Sequence, residues 1–234
     1  LDAPDQLCLW RIQATVDLSC MADTEYTECM QKKTFYYHLL IPTSAVNIGF
    51  AIGHFTPIIT SFSLPMLDPV VKHTTSTIDR VFEYFEELLS CRFPFSSYKQ
   101  VFVYQTPDEI TAYSGLSIIS LTVLYHKKIL DVVQMTRRCL AFAIAQQFFG
   151  CFVTSTCWLD AWLVSSLARF ITGMYVERFF GTSESLYLVP FFDTKKMLNS
   201  VCEYETRWGK IILRPSNADY ELHDIYFIIM YWSR

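Results

Sequence analysis

Two histidines four residues apart on a helix share one face and can hold one Zn²⁺, and a glutamate beside the first can take a proton from the metal-bound water. The chain has five histidines, His38, His54, His73, His126 and His223, and no two stand at that spacing. Its eight cysteines are Cys8, Cys20, Cys29, Cys91, Cys139, Cys151, Cys157 and Cys202. None forms a CxxC pair, and no histidine lies at a finger-like distance from them. A structural zinc centre and a disulfide framework are both disfavoured, and free thiols in a reducing compartment fit the pattern. Dibasic pairs occur at Lys32-Lys33, Lys127-Lys128, Arg137-Arg138 and Lys195-Lys196. With a net charge of −4 and a pI near 5.7 they read as solvated faces rather than an autonomous nucleic-acid surface.

The stretch from Arg137 to Phe180 resembles a metallopeptidase site with its chemistry removed. It contains Ala-Phe-Ala-Ile-Ala-Gln-Gln-Phe-Phe-Gly at 141–150 and Cys-Trp-Leu-Asp-Ala-Trp-Leu at 157–163. These segments resemble the HELAHQWFGN and WWNDLWLNEGFA motifs of the gluzincin zinc aminopeptidases. Ala145, Gln147, Phe149, Gly150, Val153, Thr154, Trp158, Asp160, Trp162, Leu163 and Ala168 match in register. The resemblance puts Phe142 and Gln146 at the two zinc-binding histidines, Ala143 at the general base and Ser165 at the third ligand. Phe142 offers no lone pair and Ala143 no proton acceptor. Gln146 is a poor substitute for imidazole, and the Ser165 hydroxyl is not ionised at neutral pH. The same resemblance puts Ser117, within Ser114-Gly115-Leu116-Ser117-Ile118, at the glutamate of the GxMEN loop that anchors a substrate's free amine. Catalysis and exopeptidase recognition are thus both expected to be absent, with no metal and no cofactor.

The elements that must position these residues follow from pattern. Trp10, Ile12, Ala14, Val16 and Leu18 alternate with polar neighbours as in a half-buried strand. Residues 34–41 read as a second strand and 47–53 as a third, with Gly49 weakening it or allowing a close approach. Pro57, Pro65 and Pro69 interrupt regular structure and mark a boundary. A helix is expected over 71–91, with Ile78, Val81, Phe82, Phe85, Leu88 and Leu89 as its apolar stripe. Strands are expected at 99–104 and 117–121. Thr136 is the expected cap of a helix ending at Gly150, and the next helix starts near Asp160 and ends at Gly181. A last helix is expected over 193–204. At 52% hydrophobic and 18% charged the 234-residue chain is core-rich. The uncharged run from Cys139 to Leu159 is long enough to span a bilayer, but its glutamines, glycine and Thr-Ser-Thr fit a buried helix and loop better. A soluble fragment with unusual apolar surface is expected.

The expected fold is α+β. Residues 1–57 are expected to be the last strands of an aminopeptidase-type N-terminal β domain, and 58–234 a partial thermolysin-like pseudo-catalytic domain, incomplete at both ends. Further segments narrow the resemblance, among them Ile41-Pro42-Thr43-Ser44-Ala45, Cys91-Arg92-Phe93-Pro94-Phe95-Ser96 and Ala145-Gln146-Gln147-Phe148-Phe149-Gly150-Cys151-Phe152. They are similar to the aminopeptidase-like members found among the TBP-associated factors of the general transcription factor TFIID. That resemblance implies a nuclear, non-catalytic scaffold that contacts TBP, other TBP-associated factors and core promoter DNA, with no membrane and no small-molecule substrate. It leaves the DNA-contacting residues unknown. Two other readings stand beside it: a peptide-binding module using the old cleft, and a metallopeptidase with rearranged ligands.

Overall fold

A computed structural model describes residues 6–17, 32–53, 55–58, 60–64, 66–104, 106, 108–129, 132–156 and 161–181. Trp158, Asp160 and the helix expected over 193–204 lie outside the described residues, and so do Cys20, Cys29, Cys157, Cys202, His54 and His223.

The alternating N-terminal pattern forms β1 (Cys8–Asp17), which pairs antiparallel with β2 (Lys32–Thr43). Trp10, Ile12 and Ala14 stand opposite Leu39, Tyr37 and Phe35, so one face of the ribbon is apolar and aromatic. The Trp10 indole N–H donates to the Thr43 carbonyl at 2.8 Å and closes the ribbon's end. The other face keeps Leu9, Tyr36 and Leu40 largely exposed, consistent with the expected apolar surface.

Residues 47–53 do not form the expected third strand. A 3₁₀ turn at Ala45–Asn47 leads into irregular chain. The Tyr113 ring lies where a Gly49 Cβ would sit, at 2.3 Å, so Gly49 serves a close approach and not a ladder. The proline-rich stretch does hold strands, β3 (Thr56–Ile58) and β4 (Ser61–Ser63). They belong to a second sheet with β5 (Lys99–Val103), β6 (Ile110–Tyr113) and β7 (Leu116–Ser120), in the order β3-β4-β5-β7-β6. Pro57 is tolerated because β3 is an edge strand. A division after residue 57 would fall inside β3. The sheet is mixed, with β5 parallel to both β4 and β7 and the two outer pairs antiparallel.

The helix expected over 71–91 is two helices, α1 (Asp68–Thr74) and α2 (Ile78–Leu89), separated by a 3₁₀ turn at Thr75–Thr77. The hydroxyls of Thr74, Thr75 and Ser76 bond back to the carbonyls of Val70, Val71 and His73. Such bonds compete with the helical ladder and bend it. The stripe itself is as read: Ile78, Val81 and Phe85 are buried, and Phe82, Leu88 and Leu89 pack beside them. Ser90 ends α2 in the left-handed region at φ 51°.

Helix α3 (Val133–Phe148) lies between two apolar clusters. Leu140 and Ala143 pack with Val71, Phe102, Ile119 and Val123 on the sheet side. Ala141, Ile144, Ala145 and Phe148 pack with α2 and with α4 (Ala161–Phe180). Burial on several sides explains why α3 shows no single apolar stripe. Thr136 is not a cap. It sits in the first turn and donates to the Val123 carbonyl at 2.9 Å, tying α3 to the chain leaving β7. Gly181 ends α4 with φ 92° and its N–H on the Glu177 carbonyl, as expected of a residue just past a helix end. Among the described residues no helix is long and apolar enough to cross a membrane.

Candidate functional site

Positions 142 and 146 lie one turn apart on α3, and position 165 lies on α4, which packs against α3. The positions that the resemblance sets at the metal ligands therefore fall on two helices that pack together. The side chains do something else. Phe142 is partly buried against the helical cluster. Arg169, four residues after the half-buried Ser165, places its guanidinium 4.9 Å from the centre of the Phe142 ring. A cation facing an aromatic ring at this range is attracted by the ring's quadrupole. Ala143 is fully buried in the sheet-side cluster. The Gln146 Oε1 is buried and accepts no hydrogen bond from the described residues.

This donor set does not fit a zinc ion. Position 142 carries no donor atom, and position 143 holds a methyl group enclosed by Val71, Leu140 and their neighbours. The charged group that faces the Phe142 ring, the Arg169 guanidinium, has the sign of a metal ion. Among the described residues no three of His, Cys, Asp and Glu group together as metal ligands.

Ser117 enters through the sheet. It is fully buried on β7, opposite Gln100 of β5 in the parallel register. Its Oγ accepts from the Tyr98 hydroxyl at 3.0 Å and from Gln147 Nε2 at 3.2 Å. The Tyr98 hydroxyl in turn accepts from Gln100 Nε2 at 3.0 Å. Gln147 also accepts from the Gly115 N–H at 2.9 Å and reaches the Leu116 carbonyl at 3.4 Å. The result is a chain of neutral groups, Gln100–Tyr98–Ser117–Gln147, running from the sheet to α3. Burial pushes the Tyr98 phenol up to about 12, with its two hydrogen bonds opposing part of that rise. Burial likewise pushes the Cys151 thiol up to about 12.

The loop after α3 is held from a distant part of the chain. Asn47 Nδ2 donates to the Gly150 carbonyl at 2.8 Å, and the Asn47 carbonyl accepts from the Ser114 N–H at 2.9 Å. One residue thereby links the turn before β7 to the turn after α3. Gly150 adopts φ 129°, and the N–H groups of Cys151, Phe152 and Val153 cap the carbonyls of Gln146, Gln147 and Phe148.

Of the positions read from sequence, the structure brings Phe142 and Ser165 to the two facing helices, and Gln147 joins Ser117 to α3. Sequence reasoning missed Arg169, Asn47 and the roles of Tyr98 and Gln100. Tyr98 just before β5 and Gln100 within it, and the paired glutamines of α3, are the signals of a buried polar network. Cys8 and Cys91 are free and exposed, Cys139 is half-buried and Cys151 buried.

The profile of the peptidase family M1 domain matches residues 73–232. A Caenorhabditis elegans protein named transcription initiation factor TFIID subunit 2 is 44% identical over 229 residues, covering 92% of this chain and 21% of the relative. The Gallus gallus protein of the same name is 40% identical over 92% of this chain and 19% of its own length. The chain thus spans about a fifth of these curated relatives. Among solved structures, native yeast LTA4 hydrolase superposes with a TM-score of 0.71 at 12% identity, covering 98% of this chain and 37% of that one. At that identity the likeness is one of fold alone.

Proposed function

The chain belongs to peptidase family M1, and from that premise we propose that it is a non-catalytic member, a scaffold and promoter-contact part of the TFIID transcription initiation complex. The observation that carries this reading is the face of α3. Where the family's chemistry needs an imidazole, a carboxylate and a second imidazole, the helix presents Phe142 beneath a guanidinium, a buried Ala143 and Gln146. Removal of one ligand leaves water or a neighbour to fill the gap. Removal of all three and of the base leaves nothing to lower a water's pKa or take its proton. An unpaired buried polar group costs roughly 1–3 kcal/mol, and the apolar replacements at 142 and 143 avoid that cost. The enclosure of Ser117 by Tyr98 and Gln147 supports loss of amine anchoring as well.

What remains is a well-packed domain with surfaces for partners. The relatives named as TFIID subunits support membership of that complex, and with it TBP, other TBP-associated factors, core promoter DNA and a nuclear location. The full-length tagged protein, captured from nuclear extract and identified by mass spectrometry with its companions, tests this. Recovery of TBP and its associated factors is expected. Their absence from a soluble, well-expressed sample would overturn the assignment. The purified full-length protein is expected to hold no stoichiometric zinc. Zinc at one equivalent, with chelator-sensitive hydrolysis of an aminoacyl amide, would overturn the non-catalytic reading.

A further inference from the structure

The polar chain that ends at Gln100 leaves two buried oxygens over. Ser61 on β4 is 1% exposed and Gln100 on β5 is 0% exposed. Ser61 Oγ and Gln100 Oε1 each bond to no described residue. The two residues are partners in the parallel register of β4 and β5. Register partners in a parallel pair rise side by side from one face of the sheet. We propose that one internal water molecule binds between them, accepting a hydrogen bond from the Ser61 hydroxyl and donating one to Gln100 Oε1.

The Gln100 amide is held by its other end. Its Nε2 donates to the Tyr98 hydroxyl at 3.0 Å, which fixes the amide and leaves Oε1 as an acceptor without a donor. The Ser61 hydroxyl has one rotatable O–H to give. Beside them the Gln100 N–H reaches the Thr60 carbonyl at 2.9 Å, so the two strands are joined at this level. Neighbouring strands lie about 4.8 Å apart. A water about 2.8 Å from each oxygen spans up to about 5.6 Å, enough to link two side chains at that spacing. Buried waters in globular proteins satisfy polar groups that no protein partner reaches, and two partners lie within the range they keep. Both side chains are neutral, so an ion buried between them would lack a counter-charge. The water carries the chain Gln100–Tyr98–Ser117–Gln147 one strand further. One line of hydrogen bonds then runs from β4 across β5 and β7 to α3.

A high-resolution crystal structure of the full-length protein tests this directly. A solvent peak about 2.6–3.2 Å from both Ser61 Oγ and Gln100 Oε1 is expected. The lack of such a peak, with the two oxygens bonded to each other or facing apolar atoms, would overturn the proposal. Hydrogen–deuterium exchange gives a second reading in solution, on peptides covering 99–103. Ser61→Ala removes one of the water's two partners and is expected to speed exchange about fivefold, the loss of one hydrogen bond. Ser61→Asn carries an N–H donor of its own into the water's place and is expected to stay within about twofold of the native rate. A native rate in Ser61→Ala would overturn the proposal. So would exchange faster in Ser61→Asn than in Ser61→Ala, or failure of Ser61→Asn alone to fold, since the longer side chain would then have found no room.

Discussion

Replacing Gln147 by leucine tests whether the polar chain between the sheet and α3 is a structural tie. Leucine keeps the volume and the helix propensity, so the perturbation is the lost amide. Gln147 is fully buried and makes contacts to Gly115 N–H, Ser117 Oγ and the Leu116 carbonyl at 2.9, 3.2 and 3.4 Å. The two shorter bonds contribute about 1 kcal/mol each, and stranding the Gly115 N–H adds about 1–2 kcal/mol, for a total of roughly 3–4 kcal/mol. That energy sits between β7 and α3, so it governs local opening of the 113–121 segment. Each 1.4 kcal/mol is tenfold in an opening equilibrium, giving about 100- to 700-fold faster amide exchange there. Hydrogen–deuterium exchange of the full-length protein, read on peptides covering 113–121, measures it. Peptides from β1 and β2 serve as the unperturbed reference. Ser117→Ala is expected to cost about 1–2 kcal/mol on the same peptide, and the double variant less than the sum, because the two share a bond. Acceleration below threefold in Gln147→Leu, or strict additivity with Ser117→Ala, would refute the reasoning.

Other expectations follow from single contacts. Gly49→Ala drives a methyl group into the Tyr113 ring and is expected to destabilise by about 1–3 kcal/mol, relieved by Tyr113→Ala and checked by thermal unfolding of both variants. Asn47→Ala removes the bond to the Gly150 carbonyl and is expected to cost about 1 kcal/mol, seen as faster exchange in peptides covering 148–154 with α1 unchanged. Cys151 and Tyr98 are raised on folding from 9.0 and 10.0, each to about 12. The folded state therefore holds their protons longer. Their contribution is fully present below about pH 9 and declines from there, for Cys151 over 9–12 and for Tyr98 over 10–12. Thermal unfolding should fall more steeply over that range in the native protein than in Cys151→Ala. At pH 8.5 iodoacetamide should label the exposed Cys8 and Cys91 and leave Cys151 intact until unfolding.

Long elements with one dominant signal were readable in the chain. The stripe on α2 and the glycine after α4 needed no tertiary information, since each is set by local periodicity or by a local φ. The break between α1 and α2 was hidden because four consecutive hydroxyl residues, Thr74 to Thr77, do not advertise which carbonyls they will take. Short strands such as β3, β4 and β6 have too few residues for a period to show, and their pairing comes from the sheet. Thr136 looked like a cap because of its type, but its hydroxyl answers a carbonyl at Val123, thirteen residues earlier in the chain. At the site, motif spacing alone puts positions 142, 143 and 146 on α3 and 165 on α4. Arg169 was not readable, because it occupies a position that the motifs leave open and becomes significant only when α4 turns it toward Phe142. The partners of Ser117 come from strand register and from another helix, neither of which its neighbours encode.

The chain of groups at Gln100, Tyr98, Ser117 and Gln147 contains no member that changes charge between mild acid and mild base, since burial moves its one ionisable hydroxyl further from neutrality. A site built on imidazoles and a bound cation releases its metal on acidification and under chelation. This interior has no such release valve. Its shape is set by amide and hydroxyl geometry, so the tie between the sheet and α3 draws on neither a proton nor a metal over that range.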